Sequence, residues 1–284
     1  MEKKLLKILG SLLVLVFMLI GFAVNSQNDR QNLEIDYLDV GQADAILIKT
    51  PYEQNILIDG GANSKVLSEL GQNLAFYDKK LDLVVLTHPH ADHVAGLVEV
   101  LRRYEVKKVL ITGVLHTAPD YLAFLQEISD QNIPVEYADG LRDINLGQDL
   151  DLKILYPLKD LNQQKMEELN NSSIVLKLIY KDNSFLFTGD AEELVEQELL
   201  TAKIDVSAQI LKVGHHGSKY SSSPEFLEAV KPQYGVISVG AKNDFGHPHL
   251  RTLDNLEKQG IEVLRTDQLG TIRFASDGNN LSLK

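Results

Sequence analysis

Thr87-His88-Pro89-His90-Ala91-Asp92-His93 is the stretch on which the reading of this chain turns. It follows the apolar segment Leu81–Leu86, which reads as a strand, and opens a helix expected over Ala91–Tyr104. Three imidazoles and a carboxylate stand within six residues, with nothing apolar around them to bury. Side chains two apart on an extended segment project to the same side, so His88 and His90 can share one ion. Asp92 and His93 open the helix and point toward a second position close by. Imidazole and carboxylate together suit zinc, manganese or iron rather than calcium. The chain contains no cysteine, so disulfide scaffolds, zinc ribbons, thiol nucleophiles and iron–sulfur clusters are excluded. Any metal site must be built from nitrogen and oxygen.

The same grammar recurs further along the chain. Phe185-Leu186-Phe187-Thr188-Gly189-Asp190 is an apolar strand that delivers an aspartate just before a helix. Its carboxylate either caps that helix or, with two oxygens, bridges metals. Leu211-Lys212-Val213-Gly214-His215-His216-Gly217-Ser218 ends another strand in two adjacent histidines. On an extended segment these point to opposite sides, so one is expected to bind metal and the other to act on substrate. Ser218 is a possible pocket residue, although serine in a turn is usually a turn former. Asp244-Phe245-Gly246-His247-Pro248-His249 makes His247 a candidate substrate contact and His249 a surface residue. Asp59, at the end of a strand, suits orientation of a ligand histidine. Asp39 and Asp44 flank a tight turn that can face the same rim. Seven of the eight histidines lie in three short stretches; the solitary one, His116, reads as a surface loop residue.

Around these motifs strands and helices alternate from Leu33 onward without a break in composition. Strands are expected at Ala43–Lys49, Asn55–Ile58, Val106–Ile111 and Pro134–Tyr137, with helices near Asn63–Ala75 and over Pro119–Asp130. A polar, Asn/Gln-rich stretch at 158–171, a long loop or a loose helix, precedes strands at Ile174–Tyr180 and Ser184–Thr188. Helix Glu192–Thr201, strand Ala208–Lys212, helix Pro224–Val230, strand Tyr234–Val239 and helix Leu250–Gln259 follow. Strands Glu262–Leu264 and Thr271–Phe274 close the chain. Two similar halves of this kind predict an α/β protein with two mixed sheets packed face to face and helices outside.

Residues 1–26 read separately. Lys3, Lys4 and Lys7 precede an uncharged run over 8–24, which suits a signal peptide or an N-terminal membrane anchor. Residues 27–33 then form a linker, and residues 34–284 one globular domain. The body is therefore expected to be extracellular or anchored on the outer face of the cytoplasmic membrane. The formal charge of −12 over 284 residues argues against a broad basic surface for nucleic acid.

The motifs His88-x-His90-x-Asp92-His93, Asp59, Asp190 and His215-His216-Gly217-Ser218 resemble the metallo-beta-lactamase superfamily. Within it, Tyr37-Leu38-Asp39-Val40-Gly41-Gln42, Leu186-Phe187-Thr188-Gly189-Asp190-Ala191-Glu192 and Phe245-Gly246-His247-Pro248-His249 resemble the hydrolase domain of the ComEC, DNA-uptake branch. The resemblance covers about residues 34–274 and lacks that branch's many-helix channel, which implies a free-standing relative. It implies an αββα sandwich and two divalent ions, zinc or manganese. His88, His90 and a bridging Asp190 would hold the first ion, and Asp92, His93, Asp190 and His215 the second. His216 and His247 would act on substrate, with Asp92 also at the reacting centre. One departure stands out: where most of the superfamily supplies a third histidine, this chain reads Leu169-Asn170-Asn171-Ser172-Ser173.

Two divalent ions against Asp92 and Asp190 leave the pocket positive by about two charges. Such a site draws in a phosphoryl group and yields a hydroxide nucleophile at neutral pH. The implied activity is phosphodiester hydrolysis, nuclease-like on DNA. Its alternatives are a cell-envelope phosphodiester such as phosphorylcholine, a small ester or lactone, or binding without catalysis. The N-terminal segment would meet a membrane or the export machinery; no protein partner is legible.

Overall fold

The computed structural model describes Gly10, residues 12–18 and residues 32–284. The reading of residues 1–26 falls largely outside them. Among the described residues no helix is long and apolar enough to cross a membrane.

Two large sheets form the middle of the molecule. The first runs Leu281–Leu283, Ile272–Ser276, Leu33–Tyr37, Ile46–Lys49, Asn55–Ile58, Leu83–Val85, Val109–Ile111, Val135–Tyr137. The second runs Glu262–Arg265, Tyr234–Ile237, Ile210–Lys212, Asn183–Phe187, Val175–Tyr180, Leu150–Tyr156, Arg142–Gly147. Both are mixed: hairpin neighbours pair antiparallel, and strands joined through helices pair parallel. Three apolar clusters mark the layers. Tyr37, Ile48, Phe185, Phe187 and Phe274 fill the space between the sheets. Leu57, Val84, Leu97 and Phe124 seal the first sheet to its helices, and Leu186, Leu211, Phe226 and Leu256 do so for the second. This is the predicted αββα sandwich.

Helices Pro119–Asp130 and Pro224–Val230 occupy their predicted spans, each opened by a proline whose missing N–H would have had no helical partner. The hairpin Arg142–Gly147 with Leu150–Tyr156 was not anticipated, although Asp143-Ile144-Asn145-Leu146 and Leu150-Asp151-Leu152 alternate as a half-buried hairpin should. The last strands also depart from a strict division into halves. Ile272–Ser276 pairs with Leu33–Tyr37, so the chain's end closes the first sheet.

Close approach positions the helix that carries the central motif. In Ala91–Arg103, a Cβ on Gly96 would lie 1.9 Å from the Gly60 carbonyl oxygen. Only glycine lets this helix press against the loop holding Asp59.

Candidate metal centre

The strands Asn55–Ile58, Leu83–Val85, Asn183–Phe187 and Ile210–Lys212 end at one rim, and each leads within three residues to a polar residue of the site: Asp59, Thr87, Asp190 and His215. Gly189 lets two of these loops meet: its φ is +53° and a Cβ there would stand 3.0 Å from the Thr87 side chain. Asp190 does not cap the following helix, which begins at Glu193 without a side-chain cap. Its carboxylate turns instead toward the histidines.

Asp92, His93, Asp190 and His216 form a group whose donor atoms all lie within 4.8 Å of one another. His93 Nε2 is 3.4 Å from Asp190 Oδ2 and 3.9 Å from Asp92 Oδ2. His216 Nε2 is 3.2 Å from Asp92 Oδ2 and 3.6 Å from Asp190 Oδ2. Four donors about 2.0–2.1 Å from a tetrahedral ion stand about 3.3 Å apart. Two of the buried atoms, His93 Nε2 and Asp190 Oδ1, have no hydrogen-bond partner, which a native interior tolerates rarely. The donor set therefore fits a divalent cation. Beside it, His88 Nε2 and His90 Nδ1 face each other at 3.0 Å, as two ligands of one ion would.

Behind the donors lies a second layer of polar groups. Asp59 accepts from His93 Nδ1 (2.7 Å), from the Thr87 hydroxyl (2.7 Å) and from the Thr87 backbone N–H (2.8 Å). The Thr87 hydroxyl, having donated to Asp59, can only accept from His88 Nδ1 at 3.2 Å. One buried carboxylate thus presents the Nε2 lone pairs of both His93 and His88. His216 Nδ1 donates to the Ser238 carbonyl at 2.9 Å, which frees its Nε2. Asp44, 3.4 Å from the same Nδ1, is paired with the fully buried Lys212 at 2.7 Å.

Electrostatically the group calls for positive charge. Burial pulls His216 down, but Asp190, Asp44 and Asp92 outweigh it and push its pKa up to about 10. Burial likewise opposes, and Asp190, Asp59 and Asp92 override, so that His93 is held well above the ordinary range. Asp190 is well below the usual carboxylate range: burial would raise it, yet His216 and His93 prevail. His247 goes the other way, to about 4, through burial and then His215 and His216. It is a neutral imidazole at neutral pH.

Several expected residues sit elsewhere or take other places. His215, expected among the donors, lies outside the group of four, and His216, expected on substrate, lies inside it. The segment is not extended: both residues have positive φ, 47° and 53°, and this turns the second ring, not the first, onto the aspartates. His215 Nε2 stays 3.8 Å from Asp190 Oδ2, while its Nδ1 is 3.3 Å from Glu192 Oε1. Asp39 turns away from the rim, accepting from Gly41 N–H and pairing with Lys65 at 3.0 Å. Ser218 serves its own turn, accepting from Tyr220 N–H. His249 is exposed and caps a helix. His116 is half-buried against Tyr121.

The polar turn without a third histidine braces Asp190 and Glu192. Ser173 Oγ accepts from the Asp190 N–H, Asn171 Oδ1 from the Glu192 N–H, and Asn170 Nδ2 donates to Glu192. Asn170, Gln42 and Phe245, which sequence reasoning did not single out, line a cleft of about 460 Å³ with His90, Asp92, Asp190 and His215. Lys212 was also missed; a lysine one residue past an apolar run signals it only weakly.

Two mixed sheets between helices, with histidines and aspartates gathered at their strand ends, define a metallo-hydrolase of the αββα class. The chain belongs to the metallo-beta-lactamase superfamily, whose match spans residues 38–241. It is similar to ComE operon protein 3 of Bacillus subtilis (strain 168), 33% identical over 85% of this chain and 33% of that protein. It is also similar to competence protein ComA of Neisseria gonorrhoeae, 29% identical over 83% of this chain and 31% of that one. Both fit the ComEC-like competence branch. The chain spans about a third of the length of these curated relatives. Among solved structures, the metallo-beta-lactamase fold protein YhfI from Bacillus subtilis shares the fold, with a TM-score of 0.54 and 13% identity over 86% of this chain and 99% of that one.

Proposed function

We propose that this protein is an exported or membrane-anchored, metal-dependent phosphodiesterase, nuclease-like on DNA, that works with two divalent ions, zinc or manganese. The observation that carries this reading is the open cleft lined together by His90, Asp92, Asp190 and His215. Asp92, His93, Asp190 and His216 would hold one ion; His88 and His90, with Asp190 reaching between, would hold the other. When bound, such ions make water acidic enough to attack and offset charge developing on phosphoryl oxygens.

The remaining work falls to side chains of this chain. Asp59 and Ser238 fix the tautomers of the donor histidines. His215 accepts at Nδ1 from Asn170 Nδ2, which leaves its Nε2 proton placed to donate to a phosphoryl oxygen in the cleft it lines. His247, 5.5 Å from the His215 ring and with its pKa lowered to about 4, stands beside it as an uncharged imidazole that does not repel the metal cations. The competence relatives favour DNA over an envelope phosphodiester.

The test is a substrate panel with the full chain, with zinc or manganese and with chelator. It contains methyl p-nitrophenyl phosphate, single- and double-stranded DNA, an aryl phosphorylcholine and a chromogenic beta-lactam. Metal-dependent cleavage of DNA, lost in His90→Ala and Asp190→Ala, is expected. Turnover confined to the phosphorylcholine or the lactam would remove the nuclease reading.

A further inference from the structure

A stack of rings runs from the metal donors to the mouth of the cleft. His216 and His247 stack at 6.4 Å between centroids with 29° between their planes. His247 and Phe245 stack at 5.9 Å and 25°. Phe245 is the outermost ring, 72% exposed, yet it lines the same cleft as Asp92, Asp190 and His215. It belongs to none of the three apolar clusters that hold the fold together. The loop that carries it is pinned. Asn243 Nδ2 donates to the Gly240 and His247 carbonyls at 2.9 and 2.7 Å, and Asn243 Oδ1 accepts from the His247 N–H at 2.9 Å. A large aromatic ring is thus held open to water beside the donors, in a fixed place and without a packing role.

We propose that Phe245, backed by His247, is a stacking platform for a nucleobase of a nucleotide that flanks the phosphate held at the metal donors. This rests on the phosphodiesterase reading above and narrows the substrate to nucleic acid. Every base has a flat π face, so one open ring suffices to bind it without selecting sequence. A quaternary ammonium headgroup would want enclosure by several aromatic faces. Apart from the site's own His90, Asp92, Asp190 and His215, the cleft is lined by Gln42, Ala62, Ala91 and Asn170, so Phe245 is its one Phe, Tyr or Trp face. Stacking also suits an acidic protein: the chain, at −12, does not depend on a basic groove to hold its substrate.

The experiment uses the metal-loaded full chain and a thymidine dinucleotide, alongside its two counterparts in which one or the other base is absent. KM is measured for wild type, Phe245→Ala and Phe245→Trp. Loss of the ring and loss of the base are expected to be coupled, falling short of their product by at least about fivefold for one of the two abasic counterparts. Phe245→Trp is expected to restore KM. Because the sequence has no tryptophan, the introduced indole is also a sole reporter. Its emission should be quenched by a slowly cleaved phosphorothioate dinucleotide and not by the abasic form that loses the coupling. Ring and base effects that simply multiply, or quenching that ignores the base, would overturn the platform. So would a Phe245→Ala effect confined to the aryl phosphorylcholine. Wild type that cleaves methyl p-nitrophenyl phosphate but no dinucleotide would refute nucleic acid as substrate while leaving the phosphodiesterase standing. No metal-dependent phosphodiester hydrolysis at all would refute the reading beneath it.

Discussion

Replacing Asp59 by asparagine should disable both metal positions without disturbing the fold. Asp59 sits at φ +59°, a conformation asparagine tolerates, and the two side chains are nearly the same size. The Thr87 N–H donates to Oδ1 at 2.8 Å, so the amide oxygen of asparagine must take that place. The amide nitrogen then occupies the Oδ2 position, 2.7 Å from both His93 Nδ1 and the Thr87 hydroxyl. There it donates where the carboxylate accepted. His93 must accept at Nδ1 and carry its proton on Nε2. The Thr87 hydroxyl, now an acceptor from the amide, donates to His88 Nδ1 and moves that ring's proton to Nε2 as well. Both lone pairs aimed at the metal are lost. Changes behind a single ligand weaken metal binding by about 10- to 100-fold, or about 1.4–2.7 kcal/mol, and here two ligands are affected. Competition against a chromogenic chelator, with zinc and with manganese, measures the loss; circular dichroism verifies the fold. Asp59→Asn binding metal as tightly as wild type would refute the orientation argument. Thr87→Val separates the two arms, since it interrupts only the route to His88.

Three other outcomes follow from the same geometry. His216→Ala should lose metal affinity by at least about tenfold, whereas His215→Ala should keep metal and lose turnover; chelator competition beside activity distinguishes them, and the reverse pattern would restore the roles expected from an extended segment. Glu196 is buried and accepts from the Ser222 and Ser223 N–H groups, and burial raises its pKa from 4.5 to about 7 despite them. The folded state therefore binds this proton more tightly than the unfolded chain. Stability from it is full below about pH 4.5 and is lost as pH rises through about 7, by up to about 3 kcal/mol; Glu196→Gln should flatten that part of the denaturation-versus-pH curve. Lys212→Met leaves the buried Asp44 without its partner and should destabilise the fold by about 3–5 kcal/mol, much of it recovered in the double variant with Asp44→Asn, as chemical denaturation would show.

The sandwich was legible because its signals are local. Apolar runs that end in Gly-Asp, Thr-His or Gly-His mark strands that stop at a polar rim, and proline marks the start of two helices. The expected place of Asp59 behind a histidine was also local, a carboxylate at a strand end. What was not legible depends on backbone conformation or on distant chain. The exchange of His215 and His216 turns on two residues with positive φ, which a strand-based reading cannot supply. Asp39 looked equivalent to Asp44 in the same turn, yet Lys65 draws one outward while Lys212, 168 positions from Asp44, holds the other inside. The edge hairpin at Arg142–Tyr156 was lost for a different reason: its outer strand is largely exposed, so its pattern is weak.

The Lys212–Asp44 pair bears on how an acidic protein keeps a pocket fit for an anion. Buried ion pairs are poor evidence of stabilisation, since removing two charges from water offsets much of their attraction. This one has another consequence. Four carboxylates, those of Asp44, Asp59, Asp92 and Asp190, converge on His93 and His216. Uncompensated, all four would oppose an anionic substrate. Lys212 neutralises Asp44 from behind, where it reaches neither the cleft nor solvent. Asp59 is committed to Thr87 and His93, on the far side of the ring from the donors. Only Asp92 and Asp190 present charge to the cleft, and the two divalent cations proposed above would exceed them by about two. A net charge of −12 and a site made locally cationic by bound metal are thus compatible, because the fold keeps the charges of Asp44 and Asp59 away from the cleft.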